Sequence, residues 1–254
     1  MRSGRLSGAM ASHPELSARE RLIVALDVSE TAQALRLASA LAESVSTFKV
    51  GKQLFTAAGP QAVRDLTSRG HRVFLDLKFH DIPHTVDAAV RAATALGVSM
   101  LTVHACGGSR MLRAAVRAAA EAPQPPLVLA VTVLTSMKDA DVAEIGISGS
   151  LTEQVVRLAE LAQRCGCGGI VTSAREARAV RQRLGPDLAI ATPGIRPAGS
   201  EAADQERVVT PSEAIAAGVT YLVVGRPITA SANPAGAARA ILDEIASATT
   251  AISH

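Results

Sequence analysis

The 254-residue sequence predicts an α/β protein built as a single-domain (β/α)8 TIM barrel. Three observations lead to this prediction. Eight short apolar runs alternate with amphipathic stretches, polar residues follow most of these runs, and barrels of this kind routinely use this chain length as one domain. Because such barrels carry their active sites at the carboxyl ends of the strands, the prediction also says where function should lie.

The predicted strands are short and apolar, as expected of strands covered on both faces. In chain order they are Leu22–Leu26, Phe48–Val50, Val73–Leu77, Met100–Val103, Leu127–Val133, Gly169–Val171, Leu188–Ala191 and Tyr221–Val224. After each strand, apolar residues recur at helical spacing. The predicted helices are Thr31–Glu43, Pro60–Ser68, Thr85–Leu96, Ser109–Ala120, Leu151–Arg164, Arg175–Arg183, Ser212–Ala216 and Pro234–Ile245.

A doubly wound sheet is the alternative that strand and helix alternation leaves open. Such folds often carry Gly-x-Gly-x-x-Gly after the first strand, but the sequence has Leu26-Asp27-Val28-Ser29 there. No Pro, Gly or Ser-rich boundary divides the chain. We therefore predict a flexible N-terminal tail over residues 1–20, the barrel over 21–248 and a C-terminal tail over 249–254.

The composition excludes several classes of protein. No apolar run approaches the roughly 18 residues of a membrane span, and residues 1–20 lack the apolar core of a secretory signal, so a soluble protein is predicted. The net charge of +3 comes with only 2% aromatic residues, which argues against nucleic-acid binding and favours a small anionic ligand. Cys106, Cys165 and Cys167 lack zinc-site spacing and indicate a reduced, cytoplasmic setting.

Lysine is rare in this chain and therefore informative. The positive charge comes from 22 arginines and only four lysines, Lys49, Lys52, Lys78 and Lys138. Arginine serves for general surface charge, whereas a lysine ammonium can give up a proton during a reaction. Lys49 and Lys78 both fall at the ends of predicted strands.

Residues 76–85 form the most informative segment. Residues two apart on a strand share a face, so Asp76 and Lys78 are predicted to point the same way. Nearby carboxylates favour a charged ammonium. Lys78 is therefore predicted to stay protonated at neutral pH and to act as an acid rather than a base.

Polar residues follow most of the predicted strands and should meet on one rim of the barrel. In chain order they are Asp27, Lys49, Asp76 with Lys78, His104, Thr135 with Ser136, Thr192–Arg196 and Gly225–Pro227. Their convergence predicts a ligand site. The alternating charges of Asp27, Lys49, Asp76, Lys78 and Asp81 would be costly without a polar ligand, although Asp27 and Lys49 also fit a structural ion pair.

Two loops near the end of the chain indicate a phosphate site. Gly225 and Arg226 follow the last predicted strand, where barrel enzymes often bind phosphate, although a surface arginine after a strand-terminating glycine is the plainer alternative. Arg196 opens a stretch without apolar periodicity that continues through Gln205 and Arg207. This stretch fits either a lid whose Arg196 and Gln205 hold phosphate or a plain surface loop.

The histidines do not predict a metal site. His80 and His84 lie four residues apart at a turn before a predicted helix, without an obvious third ligand. His104 is interpreted as a packed histidine at a strand end rather than as a catalytic base.

Taken in order, these motifs resemble the bacterial type of the orotidine 5′-phosphate decarboxylase family, from about Arg21 to the last predicted helix. The most specific match is the continuous segment Phe74–Thr85. Supporting matches are Ala25–Asp27, Phe48–Gly51, Val131–Ser136, Thr192–Pro197, Asp204–Arg207 and Val224–Ile228. The departures are His84, where the family usually has asparagine, and the N-terminal extension.

The resemblance implies a homodimeric enzyme that converts orotidine 5′-phosphate to UMP with neither cofactor nor metal. It implies that Lys78 is the proton donor, oriented by Asp76 and Asp81, and that Lys49 also belongs to the catalytic set. It further implies ribose contacts from Asp27 and Lys49, pyrimidine contacts from Thr135 and Ser136, and phosphate contacts from Arg196, Gln205, Gly225 and Arg226. Asp81 and Thr85 of each chain are expected to complete the partner's site.

Two other functions remain as alternatives. The Asp-x-Lys-x-x-Asp pattern of residues 76–81 also occurs in the related keto-gulonate phosphate decarboxylases and hexulose phosphate synthases, which use magnesium. The Thr135-Ser136 loop and the long segment 196–207 favour the nucleotide enzyme. The alternatives are thus a magnesium-dependent sugar-phosphate lyase and a non-catalytic phosphate-binding barrel.

Overall fold

Eight parallel strands form a closed barrel in the computed structural model, which describes residues 16–197 and 209–252. Each strand pairs with its neighbours in chain order, and β1 (Leu22–Ala25) closes the ring by pairing with β8 (Tyr221–Val224). The predicted TIM barrel is therefore confirmed. The doubly wound alternative is wrong, because a doubly wound sheet has two open edges and this sheet closes on itself.

The strands coincide with the predicted apolar runs to within two residues at either end. Between β1 and β8 they are β2 (Thr47–Gly51), β3 (Arg72–Phe79), β4 (Met100–His104), β5 (Leu127–Val131), β6 (Gly169–Val171) and β7 (Ala189–Pro193). The agreement follows from burial on both faces, which requires nearly continuous apolar sequence in each strand.

Helices surround the barrel and include all eight that the sequence predicts. They are α1 (Ala18–Arg21), α2 (Thr31–Leu41), α3 (Lys52–Ala58), α4 (Pro60–Thr67), α5 (Pro83–Thr94), α6 (Gly108–Ala120), α7 (Asp139–Glu144), α8 (Leu151–Arg164), α9 (Ala174–Leu184), α10 (Pro211–Ala216), α11 (Arg226–Thr229) and α12 (Pro234–Ile252). The additional helices α1, α3, α7 and α11 have at most seven residues, too few to show an amphipathic period. No helix in the described ranges is long and apolar enough to cross a membrane.

The strands separate two apolar cores. Inward-facing residues such as Ile23, Phe74 and Met100 fill the barrel, whereas their neighbours Leu22, Val24 and Leu75 pack outward with the helices. This division follows from the alternation of side chains along a strand. The barrel interior is thus packed rather than open, and room for a ligand is left at its mouth.

The ends of the barrel differ slightly from the predicted boundaries. Leu16 packs against the inner core, and Ser17 forms a capping box with Glu20 at the start of α1. Residues 16–20, which the sequence assigns to a flexible tail, are therefore part of the folded unit. At the other end, α12 continues past residue 248 to Ile252 because the chain keeps helical hydrogen bonding. Residues 1–15 and 253–254 lie outside the described residues.

Candidate active site

The carboxyl ends of the strands surround a cavity of about 540 Å³. Its floor is apolar and consists of the strand residues Ala25, Phe74, Val131, Val171 and Val223. Charged and polar side chains line its wall, namely Asp27, Lys49, Gln53, Asp76, Lys78, Thr135, Arg196 and Arg226. A ligand with both an apolar ring and charged groups fits this division.

Most residues predicted for the site lie at this cavity. Those that line it are Asp27, Lys49, Asp76, Lys78, Thr135, Arg196, Gly225 and Arg226. Ser136 follows Thr135 and is exposed. Gln205, like its neighbour Arg207, lies outside the described residues.

Four charged side chains form an alternating array along the cavity wall. Lys49 Nζ lies 3.0 Å from Asp27 Oδ1 and 3.7 Å from Asp76 Oδ2. Lys78 Nζ donates to both carboxylate oxygens of Asp76 at 2.8 Å. Each ammonium thus faces at least one carboxylate, and Asp76 lies between two ammonium groups.

Asp76 is ionised because its surroundings favour the charged form. Burial raises its pKa, but the charges of Lys49 and Lys78 and hydrogen bonds from Lys78 and Thr102 outweigh burial, so the pKa lies below its ordinary value. The side chain is only 14% exposed, so water screens these interactions weakly. A fixed negative charge therefore stands beside the Lys78 ammonium.

Lys78 and Asp76 meet through an irregular segment of β3. In the pairing of β3 with β4, Leu75 is opposite Leu101 and Phe79 is opposite Val103, so Asp76–Lys78 lie opposite Thr102 alone. Within the described residues Lys78 is the only non-glycine residue with a positive φ, at 54°. Backbone in this region is costly for side chains other than glycine, and such strain is often found at functional sites.

Gly51 leaves space for the ion pair between Asp27 and Lys49. A Cβ atom at Gly51 would lie 2.8 Å from Lys49 Nζ and 3.2 Å from Asp27 Oδ1. A side chain at the end of β2 would therefore displace the end of Lys49 and disturb this ion pair.

The two loops predicted to bind phosphate line the other part of the cavity. Arg196 follows β7 and is buried, while Arg226 begins α11 and is exposed. Ile195 pairs with Val209, and the Arg196 amide donates to the Val209 carbonyl at 3.1 Å. This bridge joins the two ends of the predicted lid, whose residues 198–208 lie outside the described part of the chain.

Asp81 and Thr85 lie outside the array of their own chain. Both side chains are exposed, and the Asp81 carboxylate accepts a hydrogen bond from the Ile82 amide at 2.6 Å. Ile82 between them is also exposed, at 65%. This segment at the start of α5 thus presents an apolar and an acidic side chain to the surroundings.

The histidines near the cavity are packed together. His104 at the end of β4 stacks on His80 with ring centroids 5.2 Å apart. Burial lowers the pKa of His104, and electrostatic interactions with His80, Lys78 and Lys52 lower it further. In the described residues no three His, Cys, Asp or Glu side chains are grouped so that they could hold a metal ion.

Two polar residues at the site were not predicted from the sequence. Gln53 lies on the unpredicted helix α3 and donates to Ser29 Oγ at 3.0 Å. Thr102 lies on β4 and is fully buried, and its hydroxyl contacts both Asp76 and the Lys78 amide. The sequence signal for Thr102 was a polar residue within an apolar run. Its spacing places it on the same strand face as Met100 and His104.

Comparisons with known proteins identify the family of this chain. The model of the "Orotidine 5'-phosphate decarboxylase / HUMPS family" matches residues 20–241. The orotidine 5′-phosphate decarboxylase of Halorhodospira halophila is 55% identical over 228 residues, which cover 90% of this chain and 97% of that protein. The enzyme of the same name from Moorella thermoacetica is 52% identical over 236 residues, covering 91% and 94% of the two chains.

Solved structures give the same result. The crystal structure of orotidine 5′-phosphate decarboxylase from Lactobacillus acidophilus superimposes with a TM-score of 0.78 at 39% identity. The match covers 88% of this chain and 98% of that one. A conserved protein of Geobacillus kaustophilus, described as uncharacterized, superimposes with the same TM-score at 35% identity. With a family match over most of its length and relatives above 50% identity, this chain belongs to the orotidine 5′-phosphate decarboxylase / HUMPS family.

Proposed function

We propose that this chain converts orotidine 5′-phosphate to UMP and carbon dioxide without a cofactor. The observation that carries the proposal is the array Asp27–Lys49–Asp76–Lys78 at the mouth of the barrel, with the arginines of two further loops lining the same cavity. Relatives of more than 50% identity over nine-tenths of the chain carry the name of this enzyme.

The reaction needs a positive charge and a proton at one carbon atom. When the bond between C6 and the carboxylate breaks, the electron pair stays on C6 in the ring plane, where no adjacent carbonyl delocalises it. The Lys78 ammonium stabilises the developing negative charge and then transfers its proton to C6. Asp76 holds that ammonium by two hydrogen bonds. Solvent returns the proton to the lysine after product release.

Asp76 has a second effect on the substrate in this proposal. Its ionised carboxylate would stand near the substrate carboxylate, and repulsion between them would be relieved as carbon dioxide leaves. The fixed charge that the lowered pKa of Asp76 indicates is compatible with this role.

The remaining site residues are assigned to binding and orientation. Asp27 and Lys49 would hold ribose hydroxyls, since they form the part of the array next to Asp76 and Lys78. Thr135 and Ser136 would contact the pyrimidine edge. Arg196, Gln205, Gly225 and Arg226 would bind the phosphate. Contacts to the phosphate, remote from C6, would contribute binding energy that orders the loop and excludes water from the reacting carbon.

A magnesium-dependent lyase is disfavoured by the charges around Asp76. Both of its carboxylate oxygens face lysine ammonium groups, at 2.8 Å and 3.7 Å. Lys49 lies outside the pattern that the magnesium enzymes share, and its charge adds to that of Lys78 in repelling a divalent cation at this carboxylate.

The proposed activity is tested by following the absorbance of orotidine 5′-phosphate with and without EDTA. We expect rapid loss of substrate absorbance that EDTA leaves unchanged. Orotidine without its phosphate should react far more slowly, because the arginine contacts are lost. Chelator-sensitive turnover of a keto-sugar phosphate would instead identify the magnesium lyase, and UMP binding without turnover would identify a non-catalytic barrel.

The exposed segment around Asp81 supports a homodimer with shared sites. In its own chain Asp81 lies outside the lysine array, although the resemblance assigns it to the same reaction as Lys78. Exposed Ile82 provides apolar surface for contact with a second copy. We infer that Asp81 and Thr85 of each protomer complete the site of the partner.

Mixing two inactive variants tests this sharing. In a mixed dimer of Lys78→Ala and Asp81→Ala chains, one site receives Lys78 from one chain and Asp81 from the other. Random exchange makes half of the dimers mixed, each with one intact site, so about one quarter of the wild-type activity should return. Lys78→Ala mixed with Asp76→Asn is the control, because both residues serve the same site and no activity should return. Equal behaviour of the two mixtures, with subunit exchange demonstrated, would contradict sharing.

The enzyme is assigned to the cytoplasm. All three cysteines are free thiols, and Cys165 and Cys167 are buried. Free thiols are typical of a reducing compartment.

A further inference from the structure

Thr102 lies where the regular pairing of β3 and β4 is interrupted. Three residues of β3, Asp76 to Lys78, are opposite this single residue of β4. A buried amide in such a bulge needs another hydrogen-bond acceptor. The Lys78 amide finds one in the Thr102 hydroxyl, at 2.8 Å.

The same hydroxyl contacts the catalytic carboxylate. Thr102 Oγ1 donates to Asp76 Oδ1 at 3.0 Å. An amide can only donate and an ionised carboxylate can only accept, so the direction of both hydrogen bonds is determined. Only a group that accepts and donates at once can join the Lys78 backbone to the Asp76 side chain.

These contacts close a ring around the lysine. The ring runs from the Lys78 amide through Thr102 Oγ1 to Asp76 Oδ1, and from Asp76 back to Lys78 Nζ. It holds both the backbone of Lys78, at a φ of 54°, and the carboxylate that orients its ammonium. Thr102 is fully buried, so water does not replace either hydrogen bond.

We propose that Thr102 is a positioning residue that holds Lys78 and Asp76 in their reactive arrangement. Its hydroxyl does so by accepting from the Lys78 amide and donating to the Asp76 carboxylate. The inference rests on the proposed function, in which Lys78 gives a proton to the substrate carbon. Thr102 acts through the other two side chains, since it does not line the cavity. Its contribution should therefore fall on the chemical step rather than on substrate binding.

Thr102→Val removes the hydroxyl and keeps the shape of the side chain. We expect kcat to fall about 100-fold, as for a displacement of about 1 Å in a catalytic group. KM and the Kd for UMP should stay within about threefold of wild type, because the ribose and phosphate contacts are untouched. Thr102→Ser keeps the hydroxyl and should recover kcat to within about tenfold of wild type.

Thr132→Val is the matched control. Thr132 is also fully buried, and its hydroxyl donates to the Val171 carbonyl at 3.0 Å rather than to a member of the charged array. This variant should keep kcat within about threefold of wild type. If Thr102→Val does not fold, Thr102→Ala is compared with Thr102→Ser by the same criteria.

The outcomes separate this inference from the proposed function. Wild-type kcat retained in Thr102→Val, a serine variant as slow as the valine variant, or an equal loss in Thr132→Val would each overturn the role of Thr102 alone. A wild-type protein inactive on orotidine 5′-phosphate would overturn the proposed function itself.

Discussion

Lys78→Ala is expected to abolish decarboxylation while the protein remains folded. Loss of a general acid costs up to about 10⁴-fold in rate, and loss of electrostatic stabilisation costs about 10²–10³-fold more. Lys78 supplies both effects in the proposed mechanism, so turnover should fall below detection. The measurement is kcat on orotidine 5′-phosphate, together with circular dichroism and Tm.

The fold should tolerate this change. Alanine, like lysine, carries a Cβ atom, so the cost of the positive φ at position 78 is unchanged. Asp76 keeps Lys49 Nζ at 3.7 Å as a counter-charge. Lys138→Ala, which alters an exposed lysine outside the cavity, is the control and should have wild-type activity. Decarboxylation near the wild-type rate in Lys78→Ala would rule out the proposed role of the lysine.

The juxtaposition of Asp76 and Lys78 was predicted correctly but for an incomplete reason. A spacing of two residues on a strand predicts that both side chains lie on one face. In the structure the strand is irregular there, and Lys78 adopts a positive φ. Strand periodicity contains no signal for such a bulge, since its stabilisation comes from Thr102 on the neighbouring strand.

The barrel itself was highly predictable because every strand is buried on both faces and every long helix has one apolar face. Gln53 was missed because α3 has only seven residues, of which Leu54 alone is buried, so no helical period is visible. The proposed roles of Asp81 and Thr85 involve contacts between two chains, which local sequence patterns do not describe. Local sequence patterns therefore predicted the framework and the strand-end charges, but not features that depend on pairing between distant segments.

Asp76→Asn is expected to cause the second largest loss of activity. Asparagine keeps the size of the side chain but removes the charge that lies between two ammonium groups. Lys78 would lose its counter-ion and its bidentate acceptor, and Lys49 would keep only Asp27. Loss of such fixed electrostatic positioning should lower kcat by at least about 10²–10³-fold. Asp243→Asn, an exposed change on α12, should leave kcat unchanged.

The pH dependence of stability gives an independent measure of the same charge. Because the pKa of Asp76 is lower in the folded protein than in the unfolded chain, its ionisation stabilises the fold above the unfolded value of about 3.9. This stabilisation is lost as pH falls through the lower folded value. Asp76→Asn should therefore lower Tm at pH 7, and the difference from wild type should shrink in acid. A Tm difference that is the same at pH 7 and well below pH 4 would contradict an ionised, stabilising Asp76. Together with the kcat of Asp76→Asn, the Tm difference would show whether the Asp76 carboxylate both stabilises the barrel mouth and orients the proton donor.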